Sequence, residues 1–210
     1  TLEDRLSEPV EWVNRDVIRS FDDPISPQGG LIALSGNIAP QGAIFKRAAA
    51  TPSLFESEGR AVVFENLEDL ANRIDDPELD ITEGDIMVLK NAGPVAAGMP
   101  EAGYLPIPKK LARAGVKDIV RISDARMSGT AFGTIVLHIA PETARGGPLA
   151  SVQTGDRIRL SVKEKSIELL VDDEEIARRL ADYRSPALPP RGYRGLYALS
   201  LIHISEPTRL

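Results

Sequence analysis

The first stretch with residue types that could do chemistry is residues 90–101, which directly follow an apolar, β-branched run. The stretch holds two glycines, two prolines and a single carboxylate, Glu101. Glycines let a backbone approach a ligand closely and prolines hold the shape of a loop, while a hard cation such as Mg²⁺ prefers carboxylate oxygens. Glu101 is therefore a candidate metal ligand, although the spacing alone favours a solvated loop glutamate.

The second stretch is residues 121–133, which also leave a predicted strand and combine hydroxyls, one acid, two arginines and two glycines. Ser128 could act as a base or nucleophile only if its proton is removed or its alkoxide is stabilised. His138 lies too far along the next strand for the sequence to assign it that task, so a nearby divalent metal is the other means. The bare pattern favours a turn in which Ser and Thr hydroxyls bond the backbone.

Arg126, in the same stretch, could clamp a substrate carboxylate with two parallel hydrogen bonds, or it could brace the loop. Bracing is the preferred interpretation, and Arg126 is kept as a substrate-binding candidate. His138 stands between Leu137 and Ile139 in a predicted strand. A buried or half-buried histidine with satisfied hydrogen bonds is more common there than a ligand.

The elements that must position these stretches are mostly short strands separated by glycine and proline. Enrichment in β-branched residues and the bounding turn residues predict seven strands. They cover residues 31–34, 60–64, 85–89, 118–122 and 134–139, followed by a hairpin of 156–162 and 166–171 that turns through 163–165.

Three helices are predicted, each from a different signal. Apolar residues spaced for one buried stripe indicate a helix over 66–74, and a proline in the first turn with a glycine at the end indicates one over 108–114. Asp172, with Glu175 three residues later, predicts a capping box at the start of a helix over 172–182. Many strands and few helices favour an α/β, β-rich domain that closes into a barrel.

Whole-chain composition excludes several classes of protein. The 210 residues are 42% hydrophobic and 27% charged, as expected for one soluble globular domain with room for a tail. A net charge of −6 without a basic stripe argues against a nucleic-acid partner. The absence of cysteine excludes disulfides, thiolate catalysis and cysteine ligation of an iron–sulfur cluster by this chain.

The sequence also gives no sign of a membrane protein. No stretch approaches the roughly 20 apolar residues that a membrane-spanning helix needs, and the first residues lack the pattern of a signal peptide. We therefore expect no membrane partner and a cytoplasmic location.

The two ends are predicted to lie outside the fold. Residues 1–23 are polar and irregular and are predicted to connect from an upstream domain that this chain lacks. Residues 199–210 resemble the translation of a sequencing-library adapter, with a natural tail as the alternative, and are set aside as non-native. This excludes His203 as a candidate catalyst. The remaining residues, 24–198, form the predicted domain, with its natural end cut.

Six segments, in the same order along the chain, resemble the dihydroxy-acid dehydratase and phosphogluconate dehydratase family. The resemblance covers roughly residues 16–197, and its most specific segment is 123–129. The matching segments are residues 16–19, 24–27, 36–42, 60–64, 98–101 and 123–129. Residues 91–94 and 102–110 are similar to the aldonic-acid branch of the family, which includes arabinonate and xylonate dehydratases.

The resemblance implies a specific reaction. Members of the family remove water from a 2,3-dihydroxy acid to give a 2-keto-3-deoxy acid. They use Mg²⁺ and an iron–sulfur cluster whose cysteine ligands belong to an N-terminal domain. By resemblance, Glu101 ligates the Mg²⁺, Ser128 takes the C2 proton as an alkoxide, and Thr130 lies beside Ser128. The resemblance also implies a swivelling β-barrel-like C-terminal domain, similar to the small domain of aconitase, and a homo-oligomer.

The predicted function is that of the C-terminal part of a hydro-lyase acting on a small hydroxy acid, such as the sugar acids arabinonate or xylonate. One alternative is a dihydroxy-acid dehydratase of branched-chain amino-acid biosynthesis. Two others are a non-catalytic barrel module and a small subunit that completes a separate large one. The chain alone is predicted to be inactive, because the cluster and most Mg²⁺ ligands would belong to the N-terminal domain.

Overall fold

The computed structural model describes residues 14–97, 105–126 and 132–187. Within these residues eight strands close into a barrel in the order β1-β2-β6-β5-β4-β3-β7-β8. The strands are β1 (Ile32–Gly36), β2 (Ala39–Phe45), β3 (Glu56–Phe64), β4 (Ile86–Leu89), β5 (Arg121–Ser123), β6 (Ile135–Leu137), β7 (Arg157–Ser161) and β8 (Ser166–Leu169). Closure leaves no unpaired sheet edge, and the barrel confirms the predicted β-rich fold.

Four neighbouring strands of the barrel, β3 to β6, run parallel to one another. Parallel strands are covered on both faces and therefore read as continuous apolar runs, which is why every residue of β4 is buried. In β3, Ala61 and Val63 join the interior cluster of the barrel, whereas Val62 and Phe64 join an outer apolar layer. The apolar runs that predicted these strands thus serve two cores.

Helices cover the outside of the parallel strands and close the ends. In the described residues they are α1 (Leu67–Arg73), α2 (Pro94–Ala97), α3 (Lys109–Arg113) and α4 (Asp173–Asp182), with short 3₁₀ turns at Arg47–Ala49, Pro52–Leu54, Thr143–Arg145 and Pro148–Ser151. The amide of Asp69 donates to the side chain of Asn66 at 2.9 Å, which caps the start of α1. None of the helices in the described part of the chain is long and apolar enough to span a membrane.

The other half of the barrel is largely antiparallel. Strands β7 and β8 form the predicted hairpin, and buried and exposed residues alternate along them because one face meets solvent. Lys165 adopts a φ of 54° in the turn. The pairs β1–β2 and β2–β6 are also antiparallel, and β1 closes the barrel by a parallel contact with β8.

Several local predictions differ from the structure. Strand β2 was not predicted, because Pro40 and Gly42 are typical turn residues. Helix α2 lies in a stretch predicted as a loop. The predicted capping box is wrong: Asp172 makes no side-chain cap hydrogen bond, and the carboxylate of Glu175 binds the guanidinium groups of Arg178 and Arg179 instead.

Strand bounds also move. Strand β3 begins four residues before the predicted start, and β5 begins three residues after it. At the N-terminal end, the described residues 14–23 of the predicted connector are mostly exposed. The predicted non-native segment, 199–210, lies outside the described residues, so the predicted division of the chain stays a prediction.

Candidate active site

The carboxyl ends of the four parallel strands meet at one end of the barrel. The registers of β3–β4, β4–β5 and β5–β6 bring their last residues to one level. The next residue of each strand is polar, namely Glu65, Lys90, Asp124 and His138 in turn. These four residues and the loops that follow them form what we call the carboxyl rim. Ligand sites in sheets with parallel strands commonly lie at this end.

The β3–β4 side of the carboxyl rim is held by internal contacts. Lys90 is buried, and its ammonium group lies 3.2 Å from Glu65 Oε1 and donates to Ala150 O at 3.1 Å. Burial lowers the pKa of Lys90, and the adjacent Glu65 carboxylate opposes this shift. Asn91, at a φ of 51°, donates to Glu65 O and accepts from the hydroxyl of Tyr183. This side of the rim therefore serves the structure.

The β5–β6 side of the rim opens into a cleft of about 420 Å³. Two arginines, one histidine, two acids and an amide contribute to its wall, so the cleft is polar and carries both signs of charge. Its lining residues are Gln41, Val95, Asp124, Arg126, His138, Ile139, Ala140, Pro141, Glu142 and Arg145. Such a wall suits a small, polar, charged ligand.

Asp124 forms the floor of this cleft and is 1% exposed. Its Oδ1 accepts a hydrogen bond from Ala92 N at 2.9 Å, and its Oδ2 accepts one from Thr143 N at 2.9 Å. Burial raises the pKa of Asp124, while these backbone donors work against that rise. No Lys or Arg in the described residues forms an ion pair with it, so this carboxyl group depends on hydrogen bonds from neutral donors.

Glu142 lies beside Asp124 in the wall of the cleft. Its Oε2 accepts from Val95 N, in the first turn of α2, at 2.9 Å. A Cβ atom on Gly93 would lie 2.6 Å from this oxygen, so only glycine lets the two segments approach this closely. Burial is the main cause that raises the pKa of Glu142, and the nearby Asp124 raises it further. Glu142 therefore favours the protonated form more than an ordinary glutamate does.

His138 and Arg126 complete the wall. His138 has a φ of 55°, a left-handed backbone conformation that is uncommon outside glycine and often marks functional sites. Its Nδ1 lies 3.5 Å from Arg126 Nη1, which favours the tautomer with the proton on Nε2 because a guanidinium can only donate. Burial, followed by the Arg126 charge, lowers the pKa of His138. The neutral form of the imidazole is therefore favoured more than in an ordinary histidine.

The structure describes one of the four predicted site residues directly. Arg126 lies in the cleft wall beside His138, and both roles considered for it, bracing and substrate binding, stay predictions. Glu101, Ser128 and Thr130 lie outside the described residues. The chain is described up to Ala97, four residues before Glu101, and up to Arg126, two residues before Ser128. Both of these described segments belong to the carboxyl rim.

The donor groups of this chain match the implied metal groups only in part. In the described ranges no three His, Asp or Glu side chains come together as a metal-binding group. The whole sequence has no cysteine, so it cannot supply thiolate ligands to an iron–sulfur cluster. A Mg²⁺ site using Glu101 would need most of its ligands from outside the described residues.

Asp124 and Glu142 were not predicted as site residues, and His138 was predicted to be a buried or half-buried residue with a structural role only. A signal was available, because Asp124 and His138 each directly follow a short strand whose residues are all buried. Recognising it required knowing that these strands are parallel and adjacent. Glu142 carried no local signal, since the turn that follows β6 brings it to the cleft.

Comparison with known proteins identifies the family. A family model described as the C-terminal part of dihydroxy-acid/6-phosphogluconate dehydratases matches residues 16–206. The chain belongs to this family and carries its C-terminal domain, which confirms the family predicted from the sequence.

The named relatives include dehydratases of sugar acids and dihydroxy-acid dehydratases. The L-arabinonate dehydratase of Rhizobium leguminosarum bv. trifolii is 48% identical over 199 residues, which cover 94% of this chain and 34% of the relative. The 6-deoxy-6-sulfo-D-gluconate dehydratase of Pseudomonas putida is 52% identical over 184 residues, 86% of this chain and 32% of the relative. The dihydroxy-acid dehydratase of Methanoregula boonei is 41% identical over 186 residues, 88% and 33% respectively. The chain thus spans about a third of the length of these relatives.

Proposed function

We propose that this chain is the C-terminal part of a hydro-lyase that dehydrates a sugar acid, such as arabinonate or xylonate, to a 2-keto-3-deoxy acid. The observation that carries the proposal is the polar cleft at the carboxyl rim, which contains Arg126 and adjoins the segments leading to Glu101 and Ser128. The single-chain enzyme is preferred to a barrel module or a small subunit, because the relatives of this chain are three times its length.

In the proposed reaction, Ser128 takes the proton from C2 of the substrate as the hydroxyl group leaves C3, and Thr130 lies beside Ser128. The bond from C2 to hydrogen and the bond from C3 to oxygen break, and a C2–C3 double bond forms. The departing hydroxyl group and the proton taken from C2 together make up the water that is lost. The enol then becomes the ketone by moving a proton to C3.

The absent groups supply one kind of chemistry in this scheme. When bound, Mg²⁺ and an iron–sulfur cluster act as Lewis acids, which ease the loss of the C2 proton and the departure of the C3 hydroxyl group. Glu101 is the residue of this chain that would ligate the Mg²⁺. The other ligands and the cysteines are proposed to belong to an N-terminal domain, so the 210 residues alone are proposed to be inactive.

Arg126 is proposed to bind the carboxylate of the substrate. Its guanidinium lies in the cleft near Arg145 and His138, and a guanidinium matches a carboxylate with two parallel hydrogen bonds. Glu142 and Asp124 carry raised pKa values in the same cleft, which reduces the negative charge that an anionic substrate would meet.

Two observations favour a sugar acid over a branched-chain dihydroxy acid. The named sugar-acid dehydratases are 48% and 52% identical to this chain, whereas the dihydroxy-acid dehydratase of Methanoregula boonei is 41% identical. In addition, a polar wall with Gln41 and His138 can bond the hydroxyls of a polyol chain but would leave polar groups unpaired against methyl groups. A homo-oligomer in the cytoplasm is proposed by family resemblance.

The test uses the full-length parent gene, expressed anaerobically with iron and Mg²⁺. Formation of the keto acid is measured with arabinonate, xylonate, gluconate and dihydroxyisovalerate. Turnover of a sugar acid, with little turnover of dihydroxyisovalerate, supports the proposal. The reverse preference would assign the protein to the branched-chain alternative, and no turnover of any of the four acids would refute the proposal.

Two variants test the residue roles in the same enzyme. Ser128→Ala should lower kcat on the order of 100-fold or more, because it removes the proton acceptor. Arg126→Ala should raise KM for the sugar acid about tenfold or more, through the loss of charge-assisted hydrogen bonds. Ser53→Ala and Arg113→Ala, at exposed positions that do not line the cleft, are the matched controls. Full activity in Ser128→Ala would reject Ser128 as the base.

A further inference from the structure

We propose that Asp124 and Glu142 together act as a carboxylate clamp that positions the loop leading to Glu101 against the loop leading to Ser128. The two residues are positioning residues, since neither needs to touch the substrate to play this part. The inference rests on the proposed function, which assigns roles to the two loops. It adds a way in which the fold positions the segments that lead to Glu101 and Ser128 relative to each other.

The first half of the clamp is the Asp124 carboxyl group, which joins three segments of the chain. Asp124 itself continues β5 toward Ser128. Its Oδ1 binds the backbone of Ala92, at the exit of β4, and its Oδ2 binds the backbone of Thr143, after β6. Both hydrogen bonds measure 2.9 Å and the side chain is 1% exposed. A single buried group thus fixes the relative position of three loops at the rim.

The second half is Glu142, the neighbour of Thr143 in that turn. It reaches back to the same segment that Asp124 holds, and its Oε2 accepts from Val95 N at 2.9 Å. Gly93 lies between the two carboxyl groups, since a Cβ there would lie 2.6 Å from Glu142 Oε2 and 2.9 Å from the backbone oxygen of Asp124. The segment 92–95 is therefore held on two sides within four residues.

The held segment cannot fix its own direction. The described part of helix α2 is four residues long, and a single helical turn is not stable without outside contacts. Because the chain toward Glu101 continues from Ala97, we expect its starting direction to depend on the contacts of residues 92–95. Two of these contacts are the hydrogen bonds of the clamp, which Ala92 N donates to Asp124 and Val95 N donates to Glu142.

The two carboxyl groups should respond differently to conservative change. Asp124 uses both of its oxygens as acceptors, toward amides on opposite sides, so Asp124→Asn places an NH₂ group against one backbone N–H. Glu142 uses one oxygen, so Glu142→Gln can keep the bond from Val95 through its amide oxygen, whereas Glu142→Ala cannot. Asp124→Asn and Glu142→Gln both preserve side-chain volume, so a loss of packing alone would not make the two variants differ.

The experiment measures kcat and KM of the full-length enzyme with the sugar acid that it turns over. A shift of about 1 Å in a catalytic group can cost about 100-fold, so Asp124→Asn should lower kcat at least tenfold with KM changed less than threefold. Glu142→Ala should lower kcat about tenfold, and Glu142→Gln should retain at least a third of it. Asp118→Asn, at the other end of β5, is the matched control and should leave kcat of the folded enzyme unchanged.

Amide hydrogen exchange supplies a readout that does not depend on turnover. Peptides covering residues 92–97 should exchange at least tenfold faster in Asp124→Asn and Glu142→Ala than in the unaltered enzyme or Glu142→Gln. Unchanged exchange, or equal damage from Gln and Ala at position 142, would overturn the clamp. If the unaltered enzyme turns over none of the four acids, the proposed function fails, while the exchange result still decides whether the clamp exists.

Discussion

Two buried aspartates stand at opposite ends of strand β5 and are satisfied in opposite ways. Asp118, before the strand, has a side chain that is 6% exposed and forms an ion pair at 3.0 Å with the equally buried guanidinium of Arg121. Its Oδ2 also accepts hydrogen bonds from the hydroxyls of Thr51 and Thr134, both at 2.7 Å. Burial would raise the pKa of Asp118, but these hydrogen bonds and the Arg121 charge outweigh it and lower the pKa.

Asp124, after the strand, accepts hydrogen bonds from two backbone amides and forms no ion pair with a Lys or Arg of the described residues, and its pKa is raised. The amino end of β5 therefore holds a paired charge that locks the barrel. The carboxyl end holds two acids, Asp124 and Glu142, whose environment disfavours their charge beside an open cleft. Perturbed carboxyl groups in a cleft are typical of functional sites. The comparison separates the end of the barrel that stabilises the fold from the end that is proposed to perform chemistry.

The first prediction concerns the charge of Asp118 at the amino end of β5. Asp118→Ala should lower the free energy of unfolding by about 3–5 kcal/mol, because it leaves the buried Arg121 without its carboxylate partner. Urea unfolding, followed by circular dichroism, measures the change. The kcat of the remaining folded enzyme should be unchanged. If Asp118→Ala lowered kcat without lowering stability, the amino end of β5, and not its carboxyl end, would carry the catalytic role.

The second prediction concerns two glycines: Gly133, which packs against Asp118, and Gly93, which packs against Glu142. A Cβ on Gly133 would lie 2.6 Å from Asp118 Oδ1 and would clash with the Arg121 guanidinium, and its φ of 93° adds strain. Gly133→Ala and Gly93→Ala should each destabilise the domain by about 1–3 kcal/mol through overpacking. Only Gly93→Ala should also lower kcat, since it displaces Glu142.

The control for both glycines is Gly84, which is exposed and has no atom within 4 Å of an added Cβ. Gly84→Ala should change neither stability nor kcat beyond experimental error. Thermal unfolding and steady-state kinetics of the three variants, measured side by side, provide the check. Equal losses of kcat at Gly93 and Gly133 would show that the two ends of β5 do not differ in function.

The third prediction concerns acid. The folded-state pKa of Asp118 is depressed, so its contribution to stability is present above the unfolded pKa of about 3.9 and is lost as the pH falls through the folded value. Asp118→Asn should therefore be less stable than the unaltered protein near pH 7. This difference should shrink as the pH falls below about 4. Urea unfolding at pH 7, 5, 4 and 3 measures it, and a constant difference would contradict the ionised pair.

Features that neighbouring residues determine could be predicted from the sequence, whereas features that depend on contacts between distant residues could not. The apolar runs of β3 and β4 are local, and they predicted buried strands that the structure confirms. Strand β2 could not be predicted, because it contains Pro40 and Gly42 and is stabilised by pairing with β1 and β6. Helix α2 was missed for a similar reason, since contacts from distant residues hold its single turn.

The candidate site divides in the same way. Arg126 was predicted from residue type and from a specific motif, and the structure places it in the cleft. Asp124 belongs to the same motif, but its partners Ala92 and Thr143 lie 32 and 19 residues away along the chain. Glu142 is 47 residues from Val95. Contacts at such separations follow from the parallel order of β4, β5 and β6, which local patterns do not contain.

The smallest expected effect lies at the carboxyl end and has the opposite sign. The folded-state pKa of Glu142 is raised, so its contribution to stability is present below the unfolded pKa of about 4.3 and is lost as the pH rises through the folded value. A glutamine at this position cannot ionise and keeps an acceptor for Val95 N. Glu142→Gln should therefore gain stability relative to the unaltered protein as the pH rises from 4 to 8. Asp118→Asn should instead lose stability relative to the unaltered protein as the pH rises from 3 to about 5, and this difference should then stay constant up to pH 8. Parallel series from pH 3 to 8 should therefore show opposite slopes for the two variants. A loss of relative stability by Glu142→Gln as the pH rises would mean that Glu142 is held as a stabilised, ionised group.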